Sequence, residues 1–110
     1  MSNEQGAIAG KMHAWASVNA AGAIINSRWV AAAALPGGGG SGIYTVTLDV
    51  ALDANELMVM LTPHTTATSA IGRLTNTSDT IKTITFIDDA GAAVDTAFYI
   101  AFWQVAWGGH

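Results

Sequence analysis

The chain has no cysteine, two prolines and only 11% charged residues among its 110. Without cysteine, neither a disulfide scaffold nor a thiolate metal site can be built, and both redox compartments stay open. Roughly 25% charge is usual for a soluble domain. Either Thr, Ser, Ala and Gly cover much of the outside, or part of the surface is hidden against other copies. The four cations, Lys11, Arg28, Arg73 and Lys82, are scattered and face eight acidic residues, for a formal net charge of −4. A nucleic-acid groove needs clustered cations, so no nucleic-acid partner is expected.

Long apolar runs are missing as well. The stretch from Trp29 to Leu35 is closed by Pro36, and that from Phe98 to Trp107 is interrupted by Gln104. Both fall short of the about 20 residues of a helical span. Met1 to Gln5 lack the cationic start and apolar core of a signal peptide. The expectation is a soluble protein, not inserted in a membrane and not exported by the usual route.

What is present reads as one all-β domain. Hydrophobic residues make up 51%, but 21 residues are Ala, so much of that fraction is small surface. Turn chemistry falls at Asn19 to Gly22, Pro36 to Gly42, Asp53 to Glu56, Pro63 to Thr66, Asn76 to Asp79 and Asp88 to Gly91. Between these lie about eight candidate strands, near 11–18, 22–26, 28–34, 43–50, 57–62, 67–75, 80–88 and 96–106. Twelve Thr residues favour strands too. The pattern predicts an antiparallel β-sandwich, jelly-roll-like, over 10–110, preceded by a tail at 1–9 with at most a weak helix cap at Ser2 to Gln5.

The strands differ in polarity. Tyr44, Val46, Leu48 and Val50 alternate with Thr45, Thr47 and Asp49, giving one buried and one wet face. Residues 57–61, Leu-Met-Val-Met-Leu, are apolar on both faces. In the last strand Phe98, Ile100 and Phe102 point one way, and Tyr99, Ala101, Trp103 and Val105 the other. A two-layer sandwich covers only one face of each sheet. The second apolar face must meet something else, and another copy of the chain is the economical answer.

The motifs that could carry chemistry resolve into structural readings. Pro36-Gly37-Gly38-Gly39-Gly40-Ser41-Gly42 exposes amides, but no Lys-Ser/Thr follows and strand, not helix, comes next; it reads as a flexible connector rather than a phosphate loop. His13, His64 and His110 share no ligand spacing, so no metal is expected, short of one histidine repeated around a symmetry axis. Asp88-Asp89 runs into Ala90-Gly91 and reads as a turn. There is no nucleophile elbow, and Asn76-Thr77-Ser78 reads as a polar loop. No catalytic residue, cofactor or enzyme activity is expected. Trp15, Trp29, Tyr44, Phe86, Phe98, Tyr99, Phe102 and Trp103 read as core or subunit interface. Trp107, near the end of the chain, has two readings: stacking on a sugar face or packing on a neighbouring subunit.

The string His13-Ala14-Trp15-Ala16-Ser17-Val18-Asn19, with Gly22 and Ile24-Ile25-Asn26-Ser27, is followed after the glycine connector by Gly42-Ile43-Tyr44-Thr45-Val46-Thr47-Leu48 and Ala51-Leu52-Asp53-Ala54-Asn55. It resembles the C-terminal head domains of bacteriophage tail fibres and spikes. Those heads carry a Lys-Ala-Trp-Val-like first strand and a Gly-x-Tyr-x-Val strand. The resemblance covers 11–62 and continues loosely through Asp95 to Phe102. The Gly-x-Tyr-x-Val strand is shared with tumour-necrosis-factor-like and C1q-like trimeric heads. Glu56-Leu57 stands where an aromatic step is usual.

The resemblance implies a β-sandwich head, commonly a homotrimer, carried on a virion beside other structural proteins and presented to the host surface. Such heads generally end long fibres, whereas here the sequence opens at Met1 without a shaft. A separately encoded tip, a capsid decoration or spike subunit, and a shortened chain all remain open. A stand-alone carbohydrate-binding module or lectin of similar fold is the alternative. For either, the loops Pro63 to Ser69 and Asn76 to Asp79, with His64 and Arg73 and assisted by Trp107, are the expected surface for a host glycan, against the simpler reading of solvated loops.

Overall fold

The computed structural model describes residues 11–49, 51, 57–64 and 69–104. Eight strands form in chain order: β1 Lys11–Val18, β2 Ile24–Arg28, β3 Val30–Ala34, β4 Ile43–Leu48, β5 Leu57–His64, β6 Ile71–Asn76, β7 Ile81–Ile87 and β8 Ala97–Gln104. They make two four-stranded antiparallel sheets, ordered β2-β1-β8-β5 (sheet A) and β3-β4-β7-β6 (sheet B). The all-β sandwich expected from the turn spacing is therefore the fold. The pairings β1 with β8 and β4 with β7, one in each sheet, tie distant parts of the chain together in a jelly-roll-like wrap.

Alternation decides which side chains go inside. From β4, Tyr44, Val46 and Leu48 are buried; from β7, Ile84 and Phe86; from β8, Phe98, Ile100 and Phe102; from β1, the smaller Ala14, Ala16 and Val18. The rings of Tyr44, Phe86 and Phe98 meet one another with centroids 5.1 to 5.8 Å apart. Such pairs contribute roughly 0.5–1.5 kcal/mol each beyond their area. The Tyr44 hydroxyl donates to the Ala20 carbonyl at 2.7 Å and accepts from the Thr96 amide at 3.1 Å, so the phenol is satisfied inside the core. Lys82 is also buried on the inward side of β7, and its ammonium donates to the Ser78 carbonyl at 2.9 Å.

Three expectations need correction. Pro63 and His64 are not in a turn but close β5, with Pro63 opposite Phe98 and His64 opposite Ala97. β5 is an edge strand, where a missing amide hydrogen is tolerated. The second and third strands start later than the apolar pattern placed them, and the break between them is the single residue Trp29. Third, the glycine-rich segment is a tethered loop rather than a loose connector. The Asp95 carboxylate accepts from the Gly40 amide at 2.5 Å and the Gly42 amide at 2.8 Å. Those amides are filled by the chain's own anion, which removes the phosphate reading on geometric grounds.

Other turns form as the sequence predicts. Asn19 Oδ1 accepts from the amides of Ala21 and Ala23. Asp88 Oδ1 does the same for Ala90 and Ala92, so the first carboxylate of the Asp88-Asp89 pair serves its own turn.

Candidate functional site

The two outward faces of the sandwich differ in chemistry. Sheet B presents Thr45, Thr47, Thr75, Thr83 and Thr85 with Ile43, Ile71, Ile87 and Arg73, a mixed and largely hydroxylated surface. Sheet A presents rows read directly from its register. One row runs Met60, Ala101, Trp15, Arg28; the next runs Thr62, Tyr99, Ser17, Asn26; Met58 stands opposite Trp103. Met58, Met60 and Tyr99 are 46%, 57% and 48% exposed, while Trp15 and Trp103 are half-buried. This is the second apolar face that β5 and β8 were expected to show, with the cation Arg28 at its β2 edge. His13 Nε2 and Trp103 Nε1 are buried without a hydrogen-bond partner; a bulge sets His13 beside Met12, which pairs with Trp103.

The glycan-loop residues do not converge. His64 ends β5 on the outer face of sheet A, its ring stacked on Tyr99 with centroids 5.4 Å apart and Nδ1 3.4 Å from the Tyr99 hydroxyl. Arg73 lies in β6 and points outward from sheet B. β5 and β6 are neighbouring edges of different sheets, so the two basic side chains look away from one another. Of the two Thr-rich segments, Asn76 to Asp79 is separated from Ser69 by the length of the six-residue strand β6. Trp107, His110 and residues 65–68 lie outside the described residues. Among the described residues no three His, Asp or Glu side chains group as a metal site.

Sequence reasoning missed one feature. Trp29, expected in core or interface, is 52% exposed. It sits at the crossing from β2 to β3 with φ of 63°, the only positive φ at a residue other than glycine among the described residues. The Arg28 guanidinium lies over its ring, 5.6 Å from the centroid. The only signal was the short spacing: the β patterns near 22–26 and 28–34 leave just Ser27 between them.

These features define an antiparallel β-sandwich whose sheet A outer face is rich in methionine and aromatic side chains, with an aromatic corner beside it. No protein-family model, no curated protein and no solved structure matches the chain.

Proposed function

We propose that this protein is a non-enzymatic head subunit that associates with copies of itself through the outer face of sheet A and is displayed on a virion surface. The observation that carries the assembly is the set of rows Met58–Trp103 and Met60–Ala101–Trp15, with Tyr99 beside them, all on the face that the partner sheet does not cover. Contiguous exposed apolar surface of this kind marks an interaction site. Methionines adapt to a facing surface, and aromatic residues supply much of the binding energy at interfaces. A closed ring, three-fold by the tail-fibre and spike resemblance, buries the face in every copy.

The virion setting rests on that resemblance over 11–62, and its partners are then other virion structural proteins and a host surface receptor or glycan. Two measurements test it. Mass spectrometry of purified particles from the source system should find the chain in stoichiometric amount, and the isolated protein should sediment as an oligomer. A stable monomer absent from particles contradicts the proposal.

The Tyr99–His64 stack, with Thr62 beside Tyr99, favours a second reading: a stand-alone carbohydrate-binding module, in which an aromatic face is ringed by polar groups. That reading predicts a monomer whose glycan binding is lost in Tyr99→Ala.

A further inference from the structure

We propose that the corner between β2 and β3 is a binding site for a carboxylate-bearing sugar, with Trp29 as the stacking platform and Arg28 as the carboxylate clamp. The site lies at the β2 edge of sheet A's outer face, where Arg28 ends one row and Asn26 the next, so it rests on that edge staying outside the subunit contact.

Three independent observations converge there. The first is backbone strain. An L residue with a bulky side chain at φ of 63° is held against a preference of about 1–3 kcal/mol. Glycine occupies the other positive-φ positions among the described residues, yet here the chain keeps an indole. The second is exposure: the residue keeps about half of its surface open to solvent, although the sandwich core lies next to it. The third is the state of Arg28. The chain has twice as many acidic residues as cations, and the Asp49 amide donates to the Trp29 carbonyl at 3.0 Å. The guanidinium nonetheless forms no ion pair among the described residues and lies over the ring instead.

The groups match a pyranose carrying a carboxylate. Its C–H face packs on the part of the indole that the guanidinium leaves open, and its carboxylate takes the planar fork of that guanidinium in a bidentate pair. Asn26 is two residues back on the same side of β2. Its Oδ1 is taken by the Ser27 amide, which leaves the side-chain NH2 to donate to a ring substituent. A neutral sugar would use the indole and leave the cation idle.

The test is titration of the whole chain with a hexuronate oligosaccharide and with the neutral hexose oligomer of the same length, followed by tryptophan fluorescence and calorimetry. The acidic oligomer should bind at least about tenfold tighter than the neutral one. Arg28→Ala should erase that preference, Arg28→Lys should weaken it, and Trp29→Ala should abolish binding of both, with each variant's fold checked by circular dichroism and Tm. Three results overturn the proposal: no saturable binding by the natural chain, equal affinity for the two oligomers, or undiminished binding in folded Trp29→Ala. If neither sugar binds and Trp29→Ala changes only the sedimentation, the corner is a subunit contact and the sugar site falls.

Discussion

Tyr44 joins three parts of the chain through one hydroxyl. It reaches the β1–β2 turn at Ala20 and the start of β8 at Thr96, while its ring packs on Phe86 and Phe98. Tyr44→Phe keeps the ring and strands a buried amide. It should destabilise by about 1–3 kcal/mol, read as a lower denaturant midpoint at unchanged m-value. Burial pushes the phenol's pKa above its ordinary value of 10.0; the Asp95 charge adds to that, and the Thr96 hydrogen bond opposes it. A phenol raised on folding contributes stability that is fully present below its unfolded pKa. That contribution is lost as pH climbs from about 10 toward the folded value. The natural chain should therefore lose stability above that pH more steeply than Tyr44→Phe. At Trp29 two effects oppose: Trp29→Gly removes the φ strain but also the half-buried indole and its Arg28 contact, so Tm should move by no more than a few degrees, far less than for Tyr44→Phe.

Elements tell a second story, about what alternation can and cannot encode. The core residues of β4, β7 and β8 follow from period-two patterning, because each strand has one face on the other sheet. So does the outward set of β8, Tyr99, Ala101 and Trp103, which lies where the apolar pattern predicts. Pro63 misled because proline punctuates loops, yet an edge strand accepts it. The tethering of the glycine loop was not legible, since it depends on Asp95, more than fifty residues away in sequence. Nor was the separation of His64 and Arg73, which is set by how the β5 and β6 edges meet. Neither of these arrangements is a local property.

Gly72 illustrates the same dependence. A Cβ there would stand 2.5 Å from Leu61 Cδ2 of β5 and 2.8 Å from Phe86 Cε1 of β7. β6 can therefore close over the core only where its inward position is bare. Gly72→Ala should destabilise by about 1–3 kcal/mol through overpacking, because Leu61 can swing aside but the buried Phe86 ring cannot. The check is thermal unfolding of the variant beside Gly72→Ala/Leu61→Ala, in which part of the loss should be recovered.

For the whole molecule, the contrast between the two outward faces matters most. Threonines share sheet B's face with the exposed Ile43, Ile71 and Ile87, while methionine and aromatic side chains mark sheet A's, in a chain with little charge to keep copies apart. A charge placed on sheet A's face should therefore act on assembly before it acts on folding. Met60 is more than half exposed on edge strand β5, so Met60→Asp costs the isolated fold little but would be buried unpaired in an interface, at a penalty of several kcal/mol.

Sedimentation equilibrium of the natural chain and Met60→Asp, at micromolar concentration, tests the central claim most directly. The expected result is a closed oligomer for the natural chain, close to three times the 11.3 kDa protomer, and a folded 11.3 kDa monomer for the variant. A natural chain that sediments as a stable 11.3 kDa monomer would contradict the account.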